Sequence, residues 1–221
     1  MTKHDFSTLR RALVETLIEE GIIRTKIVKE AMLKVPREEF VPKHLRDYAY
    51  EDTPLPIGYG QTISAPHMVA LMCEEAQLAP GMRVLEIGTG SGYHAAVIAE
   101  IVGPRGAVYT IERLAELTAF ARKNLAKTGY LDRITLIVGD GSMGYPPAAP
   151  YDRIIVTAAA PEVPPPLVSQ LAVEGIMVIP IGDRFNQVLY VVRKKSSGDI
   201  EYRTVTPCLF VPLIGKHGWN G

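Results

Sequence analysis

Val84-Leu85-Glu86-Ile87-Gly88-Thr89-Gly90-Ser91-Gly92 is the stretch that decides how this chain folds. Val84 to Ile87 is a short apolar run, Glu86 excepted, with the length of a buried strand. The glycines at alternate positions after it make a turn too tight for side chains. A helix beginning near Tyr93 completes the order strand, loop, helix. Glycine lets a backbone approach a bulky ligand, and the following helix N-terminus presents unpaired N–H groups to it. The stretch therefore describes a nucleotide-type pocket.

A dinucleotide fingerprint needs a third glycine three positions after the second, where this chain has Tyr93; the extra glycine falls at Gly92 instead. That disfavours a nicotinamide-dependent dehydrogenase. Glu86 is a polar residue at the mouth end of an otherwise buried strand, where a cationic group of a ligand would meet it. An acidic residue followed by Gly-x-Gly-x-Gly resembles the cofactor loop of S-adenosylmethionine-dependent methyltransferases.

Downstream, the pattern alternates strands with helices. Ala107 to Ile111 reads as a strand terminated by Glu112, about twenty residues past the glycine loop, where an acid holds the two hydroxyls of a ribose. The competing reading is a surface charge at the start of a helix over 113–127. Ile134 to Val138 is a third strand ending in Gly139-Asp140-Gly141, and Asp140 is placed to accept from an adenine amino group. Open α/β sheets bind ligands along the edge where such acids cluster. Arg153 to Thr157 is a fourth strand, and Ala158-Ala159-Ala160-Pro161 after it either leaves room for a substrate backbone or forms a close-packed turn. A short helix around 167–171, a strand over 176–181 and two β patterns, 187–193 and 200–205, follow. The last two form an antiparallel hairpin that closes the far edge of the sheet.

Before the glycine loop the spacing predicts two amphipathic helices, the first from Phe6 to Ile18 with Gly21 beyond its end, the second capped by Thr25 and stopping before Pro36. Residues 35–42 read as a short helical turn with solvated charges. Residues 48–60 hold Pro54, Pro56, Gly58 and Gly60 and form an ordered loop whose large residues lie over something. Gln61-Thr62-Ile63-Ser64-Ala65-Pro66-His67-Met68 then opens a third helix. Ser64 serves there as an N-cap bonding the His67 amide, or turns its hydroxyl to a ligand at that N-terminus. The two roles are compatible.

Lysine plus arginine number 24 and aspartate plus glutamate 24, so no net field draws the chain to nucleic acid or to an anionic membrane. The two cysteines, Cys73 and Cys208, lie far apart and in no metal-type spacing, which predicts reduced core thiols and no metal site. No leader-like or membrane-length apolar run occurs, and a cytoplasmic monomer is expected. The 221 residues form one catalytic domain, with 1–80 a helical extension and substrate-side segment and 81–221 the cofactor-binding α/β core.

The chain resembles the protein-L-isoaspartate (D-aspartate) O-methyltransferases. The pieces that carry the resemblance are Val35-Pro36-Arg37 with Phe40-Val41-Pro42, Tyr50-Glu51-Asp52, the run 61–68, Leu85 to Tyr93, Gly139-Asp140-Gly141 and Val156 to Pro161. The resemblance implies a Rossmann-like class I methyltransferase sheet, with S-adenosylmethionine as cofactor and S-adenosylhomocysteine as product. It implies as substrate an isoaspartyl residue of a damaged protein, whose carboxylate becomes a methyl ester and then closes to a succinimide. It also implies Ser64 as the active-site residue and Thr62, Ile63, Ser64, His67, Glu86, Gly88, Gly90, Glu112, Asp140 and Gly141 as cofactor contacts. Where some members carry a hydroxyl just after the Val-Pro-Leu of the tail, this chain has Ile214. The alternatives are a methyltransferase acting on RNA or a small metabolite, and a nonenzymatic nucleoside-binding module. The latter has no need of the Thr62 to His67 stretch.

Overall fold

The computed structural model describes residues 5–220. In chain order the elements are α1 (Phe6–Glu19), α2 (Lys26–Lys34), β1 (Leu55–Gly58), β2 (Gln61–Ile63), α3 (Pro66–Glu75), β3 (Arg83–Ile87) and α4 (Tyr93–Val102). They continue with β4 (Ala107–Glu112), α5 (Ala115–Thr128), β5 (Ile134–Val138), β6 (Tyr151–Val156), α6 (Pro165–Gln170), β7 (Leu171–Gly182), β8 (Gln187–Lys194) and β9 (Ile200–Cys208). The main sheet has seven strands in the order β5-β4-β3-β6-β7-β8-β9. β5 through β7 run parallel, and β8 and β9 add the antiparallel edge that the hydrophobic pattern predicts.

Both faces of this sheet are covered, which is why its central strands are nearly continuous hydrophobic runs. On β3, Val84 packs into one core with residues from α1, α2, α3 and α4. Leu85 and Ile87 point the other way, into a second core with Val156, Leu167 and Ile179. The period-2 alternation of a strand sends Glu86 to the Val84 side. Thr25 caps α2 by accepting from the Val28 amide at 3.4 Å, as its position predicts.

Two expectations for the extension change. Residues 48–60 contain a strand, β1, that pairs antiparallel with β2 across Tyr59-Gly60, a hairpin hidden in the sequence by Pro54 and Pro56. The charges of 35–42 are not solvated: Arg37 is fully buried and Glu38 nearly so. Phe40 and Val41, both buried, pull the turn inward, so its charges must find partners inside. Arg37 Nε donates to the Ala49 carbonyl at 2.8 Å, and its guanidinium lies 5.0 Å from the Tyr93 ring centroid. Glu38 accepts from Arg10 at 2.9 and 3.1 Å and from the Tyr50 hydroxyl.

The extension thus docks on the first turn of α4, the turn that follows the glycine loop. Phe40 meets Tyr93 edge-on, with centroids 5.6 Å apart. Phe40→Ala is expected to cost about 3–5 kcal/mol by denaturant unfolding. A cost below about 1 kcal/mol would mean the extension is only loosely joined to the core.

Candidate active site

The carboxyl ends of β3 and β4 meet the loops after β6 and β9 around two adjoining cavities. The larger, about 230 Å³, is lined by Thr62, Ile63, Ser64, His67, the loop 88–91, His94, Thr157 and residues 207–211. The smaller, about 60 Å³, is lined by Thr62, Gly88, Gly90, Glu112, Arg113, Gly141, Thr157 and Leu213-Ile214 among others. Thr62, Gly88, Gly90, Thr157 and Val211 belong to both walls, so the two form one bent cleft.

The floor of the cleft is the glycine loop. Gly88 has φ +97, and a Cβ built there would overlap Thr157 Oγ1. That hydroxyl donates to the Ile87 and Gly88 carbonyls at 2.9 and 2.8 Å, tying the end of β6 to the end of β3. Gly90 has φ +53, and a Cβ there would sit 3.4 Å from Ile57 Cδ1, so the β1–β2 hairpin covers the loop. The first-turn amides of α4 have no side-chain cap, since the N-cap residue is Gly92.

Glu112 closes the loop from the side. Its Oε2 accepts from the Gly90 amide at 3.0 Å and its Oε1 from the Leu114 amide at 3.1 Å. A carboxylate oxygen offers about two acceptor sites, so each keeps one for a ligand hydroxyl. Glu112 lines the smaller cavity and also ties down the start of the next helix, and it is buried rather than a surface charge.

Asp140 is more occupied than expected. Its Oδ1 accepts from the Ser142 amide and hydroxyl at 2.9 and 2.7 Å, and its Oδ2 from the Lys216 amide at 2.8 Å. Partial burial raises its pKa, but these donors outweigh burial and hold the carboxyl below its usual range. Asp140 therefore anchors the tail behind the cleft, and Gly141 is the wall residue. The Ala158 to Pro161 run is a close-packed turn: the Ala159 amide donates to Val211, and its carbonyl accepts from Leu213 and from Trp219 Nε1.

Glu86 is not at the cavity surface. It is fully buried and lines neither cavity, because its side chain points onto α4 rather than along the strand. Thr110 Oγ1 donates to its Oε2 at 2.5 Å, and burial raises its pKa to about 8.

Ser64 is not the cap of α3. The N-cap position is Ala65, which supplies no side-chain bond, and the His67 amide donates instead to Asp52 Oδ1 at 2.8 Å. The same carboxylate lies 3.0 Å from His67 Nδ1. Asp52 thereby favours the tautomer that carries its proton on Nδ1, leaving Nε2 as an acceptor. An aspartate fifteen residues upstream leaves no trace in the local helix-start pattern. Among the described residues the Ser64 hydroxyl has no hydrogen-bond partner, and Ser64 lines the larger cavity. Sequence reasoning also missed Thr157 as the clasp and Cys208, half-buried rather than core, as a wall residue.

The family model for protein-L-isoaspartate(D-aspartate) O-methyltransferase matches residues 8–218. The chain belongs to this family. A protein-L-isoaspartate O-methyltransferase of Hyperthermus butylicus is 66% identical, over 97% of this chain and 92% of its own length. One from Staphylothermus marinus is 58% identical, over 97% and 98%. A Plasmodium falciparum beta-aspartate methyltransferase, solved in complex with S-adenosyl-L-homocysteine, superposes with a TM-score of 0.83 at 32% identity, covering 93% of this chain and 98% of its own. Family membership and the sheet topology together make the chain an enzyme of the class I methyltransferase architecture. They rule out the dehydrogenase and the nonenzymatic binding module. Among the described residues no helix is long and apolar enough to cross a membrane.

The geometry separates two residues that the sequence left entangled. Asp52→Ala is expected to destabilise the protein by about 1 kcal/mol through loss of the α3 cap, while Ser64→Ala stays within about 0.5 kcal/mol. Equal losses for both variants in thermal or chemical unfolding would return the capping role to Ser64.

Proposed function

We propose that the cleft holds S-adenosylmethionine along the glycine loop and presents to it the side-chain carboxylate of an isoaspartyl residue, with Ser64 fixing that carboxylate. The observation that carries the reading is Ser64, whose hydroxyl is unbonded among the described residues and which lines the larger cavity together with Gly88 and Gly90. The enzyme is further proposed to act as a monomer in the cytoplasm.

The residues present fit such a cofactor. The bent cleft suits an adenosyl group with an amino-acid arm, and Glu112 retains an acceptor site on each oxygen for the ribose hydroxyls. Gly141 meets the adenine, with Ile214 supplying an apolar wall instead of a hydroxyl, while Asp140 holds the tail behind them. Thr62, Ile63 and His67 line the arm, and Nε2 of His67 accepts from it. When bound, the sulfonium supplies an electrophilic methyl group.

No general base is required of the protein. A free carboxylate has a pKa near 4 and is already ionised at neutral pH, so the nucleophile has no proton to lose. Positioning is what remains, and in favourable cases it is worth about 10⁵ M or more in effective molarity. Ser64 donates one charge-assisted hydrogen bond to the carboxylate, holding one oxygen while the other attacks. The ester so formed expels its alkoxide far more readily than a carboxylate expels oxide. The neighbouring amide nitrogen then closes a succinimide that opens partly to normal aspartate.

The purified protein is expected to transfer labelled methyl to an isoaspartyl peptide and not to its aspartyl twin, giving a base-labile ester. Equal labelling of both peptides, or a base-stable product, overturns the substrate assignment. Ser64→Ala is expected to lower kcat about 10–100-fold, the worth of one hydrogen bond to a charged group, while the Kd for S-adenosylhomocysteine changes less than about threefold. Unchanged turnover in that variant would remove Ser64 from the chemistry.

A further inference from the structure

Behind the cleft wall lies a row of buried groups that methyl transfer does not use. Glu86 on β3, His94 on α4 and Cys73 on α3 are all almost wholly buried. His94 Nε2 is 3.4 Å from Cys73 Sγ, and His94 Nδ1 is 3.7 Å from Glu86 Oε1. Glu86 Oε2 takes the Thr110 hydroxyl, which in turn lies 2.7 Å from the Thr89 hydroxyl. His94 and Thr89 line the larger cavity, so Glu86 stands one residue behind its wall on two sides.

Two atoms in this row have no hydrogen-bond partner, Glu86 Oε1 and His94 Nδ1, and they face each other. Buried polar atoms are rarely left orphaned, and an unpaired buried carboxylate is costly. The neighbouring elements make it costlier: Glu112 at the end of β4 repels it, and Cys73 on α3, a thiol that burial holds neutral, offers no compensating charge. Among the described residues no lysine or arginine is one of the groups that act on Glu86.

We infer that Glu86 carries a proton aimed at His94 Nδ1 in the ligand-free protein and releases it when a cationic group of the cofactor settles against the Thr89 and His94 wall. Each state pairs the orphaned atoms once the two side chains close from 3.7 Å to hydrogen-bonding distance. Without ligand, Glu86 Oε1–H donates to Nδ1 and Nε2–H donates to the Cys73 sulfur. With the cation bound, the proton of Glu86 passes to solvent, the imidazole changes tautomer, Nδ1–H donates to the carboxylate, and Nε2 accepts from the thiol. The histidine and the cysteine stay neutral throughout, so one proton leaves in all. Burial supports the first state, raising the carboxyl to about 8 and lowering His94 to about 3.

The inference rests on the cofactor reading above and makes His94 and Glu86 positioning residues of that cleft. Because the free form binds the extra proton, affinity falls as pH drops below about 8. The test is isothermal titration with S-adenosylhomocysteine, which keeps the ammonium group of the cofactor, in buffers of differing ionisation enthalpy. Between pH 6 and 7 the protein is expected to release close to one proton, with affinity rising up to about tenfold. Glu86→Gln, which mimics the protonated form, is expected to release none and to bind with flat pH dependence. Infrared difference spectra of the unmutated protein give an independent reading, since a protonated carboxyl band should disappear on binding. Proton release that is absent in the unmutated protein, or equal in Glu86→Gln, overturns the inference, as does an unchanged carboxyl band. Absence of any binding heat or saturable binding would instead contradict the cofactor reading itself.

Discussion

The site depends on one close approach, at the point where the chain leaves β3 for β4 on one side while β6 lies on the other. There the Thr157 hydroxyl clasps the Ile87 and Gly88 carbonyls, and no side chain of any size fits at Gly88. The clasp fixes the mouth of the cleft at the switch point of the sheet, where α/β folds bind their ligands. Glu112 then ties Gly90 from β4, and the β1–β2 hairpin lays Ile57 across it. A loop held from three sides offers backbone groups in fixed positions, which matters for a reaction whose demand is placement rather than proton transfer.

The N-terminal extension belongs to the same construction. Arg37 and Phe40 pack on Tyr93 at the start of α4, and Glu38 gathers Arg10 and Tyr50 from two other segments. Asp52, a few residues on, sets both the amide and the ring of His67. Each step passes from a charge, buried at Arg37 and Glu38 and exposed at Asp52, to a fixed side chain, so the segment carrying Ser64 is held by its own upstream sequence as well as by the sheet.

Much of this was legible in the chain. The strands alternate with helices at spacings that leave little choice, and Gly88, Gly90 and Glu112 lie where the sheet opens into the cleft. What escaped depends on partners distant in sequence. Solvation of Arg37 and Glu38 was the natural reading of a charged turn, since Arg10 and Tyr93 could not be seen to close over it. Ser64 had the position of a cap, and only the folded chain brings Asp52 to the amide first. Glu86 looked like a residue of the mouth because its strand ends there, but the pleat turns it toward α4. The β1–β2 hairpin was masked by prolines that an edge pair tolerates.

The positions of the two reactants in the cleft decide whether Ser64 and the glycine loop have these roles. A crystal structure of the protein with S-adenosylhomocysteine and an isoaspartyl peptide should place the ribose on Glu112 and the thioether beside Gly88 and Gly90. The isoaspartyl carboxylate should then lie within hydrogen-bonding distance of Ser64 Oγ and face the sulfur. A carboxylate seated away from Ser64, or an adenosyl group outside the cleft of Thr62, Gly88 and Thr157, would contradict it.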